Sequence, residues 1–170
     1  MHMPKRLSAR WQPESIREFQ ASARWRLNEG MALAAAGFRT GAIYLWGYTA
    51  EMILKAAYFS LIGRAESAAL TWRGDILPAI EAGKLMKIAW PKPGQGHNVR
   101  AWSELLIAEH AATPGAAYPP LFGREVQACG QRIGQLWSES LRYHKNQAYW
   151  YEVNQVREAT EWLLVNSENL

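Results

Sequence analysis

The chain of 170 residues has few of the features that mark several common protein classes. It contains a single cysteine, Cys129, which excludes an intrachain disulfide framework and a cysteine-based zinc site. Its four histidines are dispersed, and neither a Glu-x-x-His pair nor a phosphate-binding glycine loop is present. Hydrophobic residues make up 49% and charged residues 20%, which is typical of a globular protein rather than a disordered one. We therefore expect no metal and no cofactor, and a reducing compartment such as the cytoplasm.

A long uninterrupted hydrophobic run is also missing. The longest apolar stretch, residues 42–62, is broken by Glu51 and Lys55 and is rich in Gly, Thr and Tyr. This pattern argues against a membrane-spanning helix, although the length alone would allow one. The charged beginning of the chain is not followed by an apolar segment, so no signal peptide is predicted.

Positive charge is concentrated at the beginning of the chain. The net charge of +4 lies entirely within residues 1–26, since the remainder has equal numbers of basic and acidic residues. We interpret residues 1–12 as a basic arm and residues 13–170 as a single helical domain. Arg10, Arg17 and Arg24 are spaced seven apart and would align along a helix, either to hold phosphates or as a solvated face.

The stretch from Gly41 to Phe59 carries the strongest structural signal. It is almost entirely apolar except for Glu51 and Lys55, whose spacing of four places both charges on one face of a helix. Such a helix is typical of the centre of a bundle. The two charges are interpreted as an internal ion pair that sets helix register. The alternative is a pocket in which they line a nucleotide or partner site together with Tyr44, Tyr48 and Tyr58.

Apolar residues spaced three or four apart predict an all-α fold, an up-and-down four-helix bundle with additional short helices. Gly47 lies inside the second of these helices and predicts a close helix crossing there. A polar turn is expected at residues 142–148. The expected helices cover residues 13–36, 39–62, 75–87, 98–111, 122–141 and 149–165.

Three segments, in this order, resemble a HEPN domain, the higher eukaryote and prokaryote nucleotide-binding family. GYTAEMILKA, residues 47–56, is similar to the family's second helix. GHNVRAW, residues 96–102, resembles the Gly-His segment that opens a later helix. LRYHKNQAYW, residues 141–150, resembles the Arg-Tyr segment before the last helix. The resemblance implies a helical bundle, a homodimer, and a nucleotidyltransferase-type partner protein in a toxin–antitoxin or defence module.

Many family members are metal-independent RNases in which four to six residues separate an arginine from a histidine. This chain lacks that motif. His97 follows Lys92 where an arginine is required, and His144 follows Arg142 by only two residues. The resemblance therefore indicates a member without the family's catalytic pair, and we expect no enzymatic activity.

Two groups of residues remain as candidate ligand-binding positions. The first group is Arg142, Tyr143, His144 and Lys145, beside the aromatic Tyr149 and Trp150, which are suited to phosphates and stacked bases. The second is His97 with Arg100. Three hypotheses follow: a non-catalytic module that binds RNA, a nucleotide or a partner protein; an RNase with a rearranged site in which Arg142 and His144 are catalytic; and a purely structural dimer.

Overall fold

A computed structural model describes residues 12–90 and 96–170, and these residues form helices and no strand. The predicted basic arm before residue 12, with Arg10, and the loop residues Pro91, Lys92, Pro93 and Gly94 lie outside the described residues. The α-helices are α1 (Ile16–Ala35), α2 (Arg39–Leu61), α3 (Leu77–Leu85), α4 (Val99–Ala112), α5 (Pro120–Leu136) and α6 (Trp150–Val165). A single turn of π-helix, Trp72–Ile76, precedes α3, and a 3₁₀ helix, Glu139–Tyr143, lies between α5 and α6.

Helix α2 is the central element of the fold, as its apolar sequence predicts. Fifteen of its 23 residues are buried, because α1, α4, α6 and the 3₁₀ helix all pack against it. Helices α4, α5 and α6 complete the bundle, each packing against its neighbour in this set, and α1 also contacts α6. The core is one continuous apolar cluster that runs from Ile16 to Leu163. The prediction of an all-α helical bundle is confirmed.

Several helix ends follow from local sequence. The Asn98 side chain caps α4 by accepting a hydrogen bond from the Ala101 N–H at 3.0 Å. Gly37 and Gly63 follow α1 and α2 with φ values of 83° and 79°, a conformation that favours glycine. The first helix begins later than predicted, at Ile16, because Ser15 caps it by accepting from the Glu18 N–H.

Helix α5 is shorter than predicted and ends at Leu136 rather than Leu141. Trp137 is extended, and its indole fills the notch beside Gly47 on α2, where even a Cβ atom would overlap the ring. The indole N–H donates to the carbonyl of Tyr44 at 3.0 Å. The close approach predicted at Gly47 is therefore made by a tryptophan side chain rather than by a second helix.

Candidate functional site

Glu51 and Lys55 form an ion pair inside the bundle. Lys55 Nζ lies 2.5 Å from Glu51 Oε1, and the two side chains are only 8% and 4% exposed, respectively. The Lys55 ammonium also lies 5.4 Å from the centre of the Trp102 ring, within reach of a cation–π interaction. Burial of two charges is costly unless each is paired and hydrogen-bonded, so further polar partners are expected around them.

His97 supplies that further partner. Its Nδ1 lies 3.0 and 2.9 Å from the two carboxylate oxygens of Glu51, although the two residues are 46 positions apart in sequence. The residues around His97 hold it in place, because the Asn98 cap follows it and the Gly96 carbonyl accepts from the Trp102 indole N–H at 2.8 Å. Since Nδ1–H donates to Glu51, the orientation of the ring is determined from inside the bundle.

The other ring nitrogen of His97 faces the 3₁₀ helix. His97 Nε2 lies 3.5 Å from Glu139 Oε2, and the His97 side chain is 38% exposed. The hydrogen bond to Glu51 raises the pKa of His97 above its ordinary value, against the opposing effect of burial; Glu139 adds to the rise and Lys55 reduces it. A carboxylate at each ring nitrogen therefore favours the doubly protonated imidazolium.

Two tyrosines of α2 connect His97 to Arg142. The Tyr48 ring lies edge-on to His97 at 5.8 Å and to Tyr44 at 5.0 Å. Burial, and then the neighbouring Tyr44 hydroxyl, raise the pKa of Tyr48. The hydroxyls of Tyr143 and, more weakly, Tyr44 raise the pKa of the Arg142 guanidinium. We call the resulting set the histidine cluster; its members are Tyr44, Tyr48, Glu51, Lys55, His97, Glu139 and Arg142.

The predicted site residues thus divide into two groups. His97, Arg142 and the pair Glu51–Lys55 belong to the histidine cluster. Arg100 instead pairs with Glu104 at 2.8 Å on the exposed side of α4. Tyr143, His144 and Lys145 are exposed at the end of the 3₁₀ helix and beyond it.

The backbone that carries these exposed residues is tied to the start of α2. The Thr40 hydroxyl accepts from the N–H groups of Gln147 and Ala148 at 2.9 and 3.0 Å. The Asn146 side chain accepts from the Thr40 N–H at 3.1 Å and donates to the Gly37 carbonyl at 2.9 Å. A groove of about 370 Å³ opens beside this segment. Its lining is Thr40, Ile43, Leu136, Leu141, Gln147, Ala148, Tyr149 and Glu152.

The sequence pattern does not indicate one member of the cluster, Glu139, or the contact that unites the cluster. It places Glu51 and His97 in separate groups. One signal was available, because a buried carboxylate has two oxygens to satisfy and Lys55 alone does not occupy both of them. Across residues 12–90 and 96–170, no group of three His, Cys, Asp or Glu side chains is arranged to hold a metal ion.

No family model, curated protein or solved structure matches this chain. In the part of the chain that the structure describes, every helix is too short or too polar to cross a bilayer.

Proposed function

We propose that the protein is a non-catalytic, HEPN-like helical module that binds single-stranded RNA or a nucleotide. The observation that carries this proposal is the exposed surface at residues 142–151, where cationic and aromatic side chains lie side by side. We call it the 142–151 surface. Backbone phosphates attract cations, and bases stack on aromatic rings, so a surface that offers both suits single-stranded nucleic acid.

The aromatic part of this surface is open to solvent. Tyr143, Tyr149 and Tyr151 are 77%, 64% and 61% exposed, although large aromatic side chains are usually buried. Tyr149 and Tyr151 lie nearly parallel, with an interplanar angle of 10° and ring centres 5.9 Å apart. The guanidinium of Arg142 lies 4.8 Å from the Tyr143 ring centre, so a cation and a stacking surface share one position.

The cations of this surface are free to meet phosphates. Among the ion pairs of the described residues, none includes Arg142 or Lys145. The two nearby acids are engaged elsewhere: Glu139 faces His97, and Glu152 accepts from the Tyr149 N–H at 2.7 Å. Neither acid pairs with Arg142 or Lys145, so both cations are available to phosphates.

Binding of a fluorescein-labelled oligouridine, followed by anisotropy at several salt concentrations, tests this proposal. We expect affinity to fall as salt rises, and the double variant Arg142→Gln, Lys145→Gln to reduce the log–log slope by about 1.4, or about 0.7 for each lost phosphate contact. The double variant Arg124→Gln, Arg132→Gln, which also removes two exposed cations, here from α5, is the matched control. Absence of salt-sensitive binding, or equal slopes for all three proteins, would contradict the proposal.

A second candidate function, a metal-independent RNase with a rearranged site, is favoured by the Glu51–His97 contact. A carboxylate that orients an imidazole is an arrangement used in acid–base catalysis, and the cation of Arg142 lies toward the same cluster. Under this hypothesis the catalytic histidine is His97 rather than His144. Cleavage of labelled RNA in EDTA, lost in His97→Gln and retained in His144→Gln, would support it. Absence of cleavage by the unchanged protein would exclude it.

We also propose the homodimer, the nucleotidyltransferase-type partner protein and the cytoplasmic location that the sequence suggests. Exposed apolar side chains such as Leu85 and Leu121, at 86% and 76%, are consistent with a protein interface, and the lone thiol of Cys129 suits a reducing compartment. Light scattering coupled to size-exclusion chromatography tests the dimer. A stable dimer that binds neither RNA nor nucleotides would favour the purely structural hypothesis.

A further inference from the structure

A second concave site shares no lining residue with the histidine cluster. It is a cavity of about 270 Å³ between the C-terminal half of α1 and the first turns of α6. The buried Trp46 ring of α2 contributes to its lining, and the half-exposed Trp150 contributes from α6. The main lining side chains are Met31, Ala34, Trp46, Trp150, Val153 and Arg157.

Arg157 is the only charged side chain in this lining, and it is not neutralised within the part of the chain that the structure describes. None of the ion pairs formed by the described residues includes it, although Glu158 and Glu161 lie nearby on the same helix. A second cation, Arg39, lies over the Trp150 ring at 5.9 Å from its centre and also has no acidic partner in that set. The cavity is therefore apolar in its body and positive at its edge.

Arg157 also carries a hydrogen-bond donor that is left without a partner. Its Nε is buried and makes no hydrogen bond to any described residue. Because this nitrogen is shielded from solvent, a ligand in the cavity would meet the outer N–H groups of the partly exposed guanidinium. A carboxylate suits them, because it accepts two parallel N–H bonds from one edge of the planar guanidinium.

The geometry points to a binding site for a small aromatic carboxylate. We propose that its ring lies between Trp150 and Met31, above Trp46, and that its carboxylate accepts hydrogen bonds from Arg157. A flat ring suits a cavity with two tryptophans and a methionine, since aromatic and thioether groups pack well on ring faces and edges. The cavity is slightly smaller than most small-molecule sites, which limits the ligand to one or two rings.

Isothermal titration calorimetry with indole-3-acetate as the probe tests the site. We expect binding to the unchanged protein and a loss of affinity of at least about tenfold in Arg157→Gln, since a charge-assisted hydrogen bond is removed. The neutral probe indole-3-acetamide is expected to bind more weakly than the acid. Arg132→Gln, which changes an exposed arginine on α5, is the matched control and should bind as the unchanged protein does.

A second variant, Ala34→Leu, keeps Arg157 and fills the cavity, so it should also abolish binding while a cooperative thermal transition shows that the protein is folded. Arg157→Gln should leave thermal stability nearly unchanged, because the side chain is only partly buried and forms no ion pair with the described residues. Three results would overturn the proposal: no binding of indole-3-acetate at millimolar concentration, equal binding by Arg157→Gln, or equal binding of the acid and the amide.

Discussion

At the residue scale, Glu51 is the side chain on which the histidine cluster depends. It lies 3% exposed in the middle of the central helix and accepts from both Lys55 and His97. Each of its carboxylate oxygens lies within hydrogen-bonding distance of a nitrogen atom of Lys55 or His97. Glu51 is in turn the counter-charge of Lys55 and the internal hydrogen-bond partner of His97. Its removal would therefore leave a buried ammonium without a counter-charge as well as a histidine without its internal partner.

We predict that Glu51→Gln lowers the free energy of unfolding by about 3 kcal/mol or more, because the buried Lys55 loses its counter-charge. Urea denaturation followed by circular dichroism measures the change. Glu81→Gln is the control, since Glu81 forms a similar pair with Lys84 at 2.6 Å on the exposed side of α3 and should cost less than about 1 kcal/mol. Equal losses in the two variants would contradict the assignment of a buried pair.

His97 makes the stability of the protein depend on pH. Its pKa is raised in the folded state, chiefly by the Glu51 hydrogen bond, so its contribution to stability is fully present below about pH 6.5, the value for an unperturbed histidine. The contribution is lost as pH rises through the folded-state pKa. We expect the difference in unfolding free energy between the unchanged protein and His97→Gln to be constant below about pH 6.5 and to shrink as pH rises above it. A difference that grows with pH would show that the neutral ring is the stabilising form.

At the element scale, the connection between α5 and α6 is shaped by α2. The indole of Trp137 occupies the space beside Gly47, and Thr40 holds the backbone at residues 147 and 148. The path of this connection decides where Glu139 and Arg142 lie. The geometry of the histidine cluster therefore depends on the absence of a Cβ atom at Gly47 as much as on the charged groups of the cluster.

Gly47→Ala should destabilise the protein by about 1–3 kcal/mol, because the added methyl group would lie about 2.1 Å from atoms of the Trp137 ring. Gly41→Ala in the same helix is the matched control. There the closest atom is the flexible end of Leu33 at 3.2 Å, so the gain in helix propensity should leave stability unchanged or raise it by up to about 1 kcal/mol. Thermal denaturation distinguishes the two cases, and a stabilised Gly47→Ala variant would contradict the packing described.

The sequence predicts elements better than it predicts contacts between them. The burial of α2, the Asn98 cap and the glycine-terminated helix ends could all be predicted, because each depends on spacing or on residues within one turn. The extra turn predicted for α5 was wrong, since a tertiary contact of Trp137 overrides a local helical pattern. The Glu51–His97 contact could not be predicted, because it joins residues 46 positions apart through the packing of α4 on α2.

At the scale of the whole molecule, the bundle encloses its only thiol. Cys129 is 1% exposed on α5, and burial raises its pKa to about 11. The thiolate is the reactive form, so both access and ionisation are suppressed while the bundle is intact. Reaction of this thiol therefore requires the helices around it to separate.

We predict that a disulfide reagent such as 5,5′-dithiobis(2-nitrobenzoate) labels Cys129 at pH 8 only through opening of the fold, and that the rate rises in parallel with the unfolded fraction as urea is added. The free energy obtained from labelling should agree with that from circular dichroism. Fast labelling without urea, at the rate of the urea-unfolded chain, would show that α5 detaches without global unfolding.

The segment of residues 137–148 is attached to α2 at both ends of the segment, and this has a practical consequence. Trp137 is held at Tyr44, and residues 146–148 are held at Thr40, one helical turn away. If the polypeptide were cut between His144 and Lys145, each of the two fragments would keep its own hydrogen bonds to residues of α2. The segment that carries α6 is thus suited to being supplied as a separate peptide. The exposed turn around His144 and Lys145, between the two attachments, is suited to the insertion of a tag.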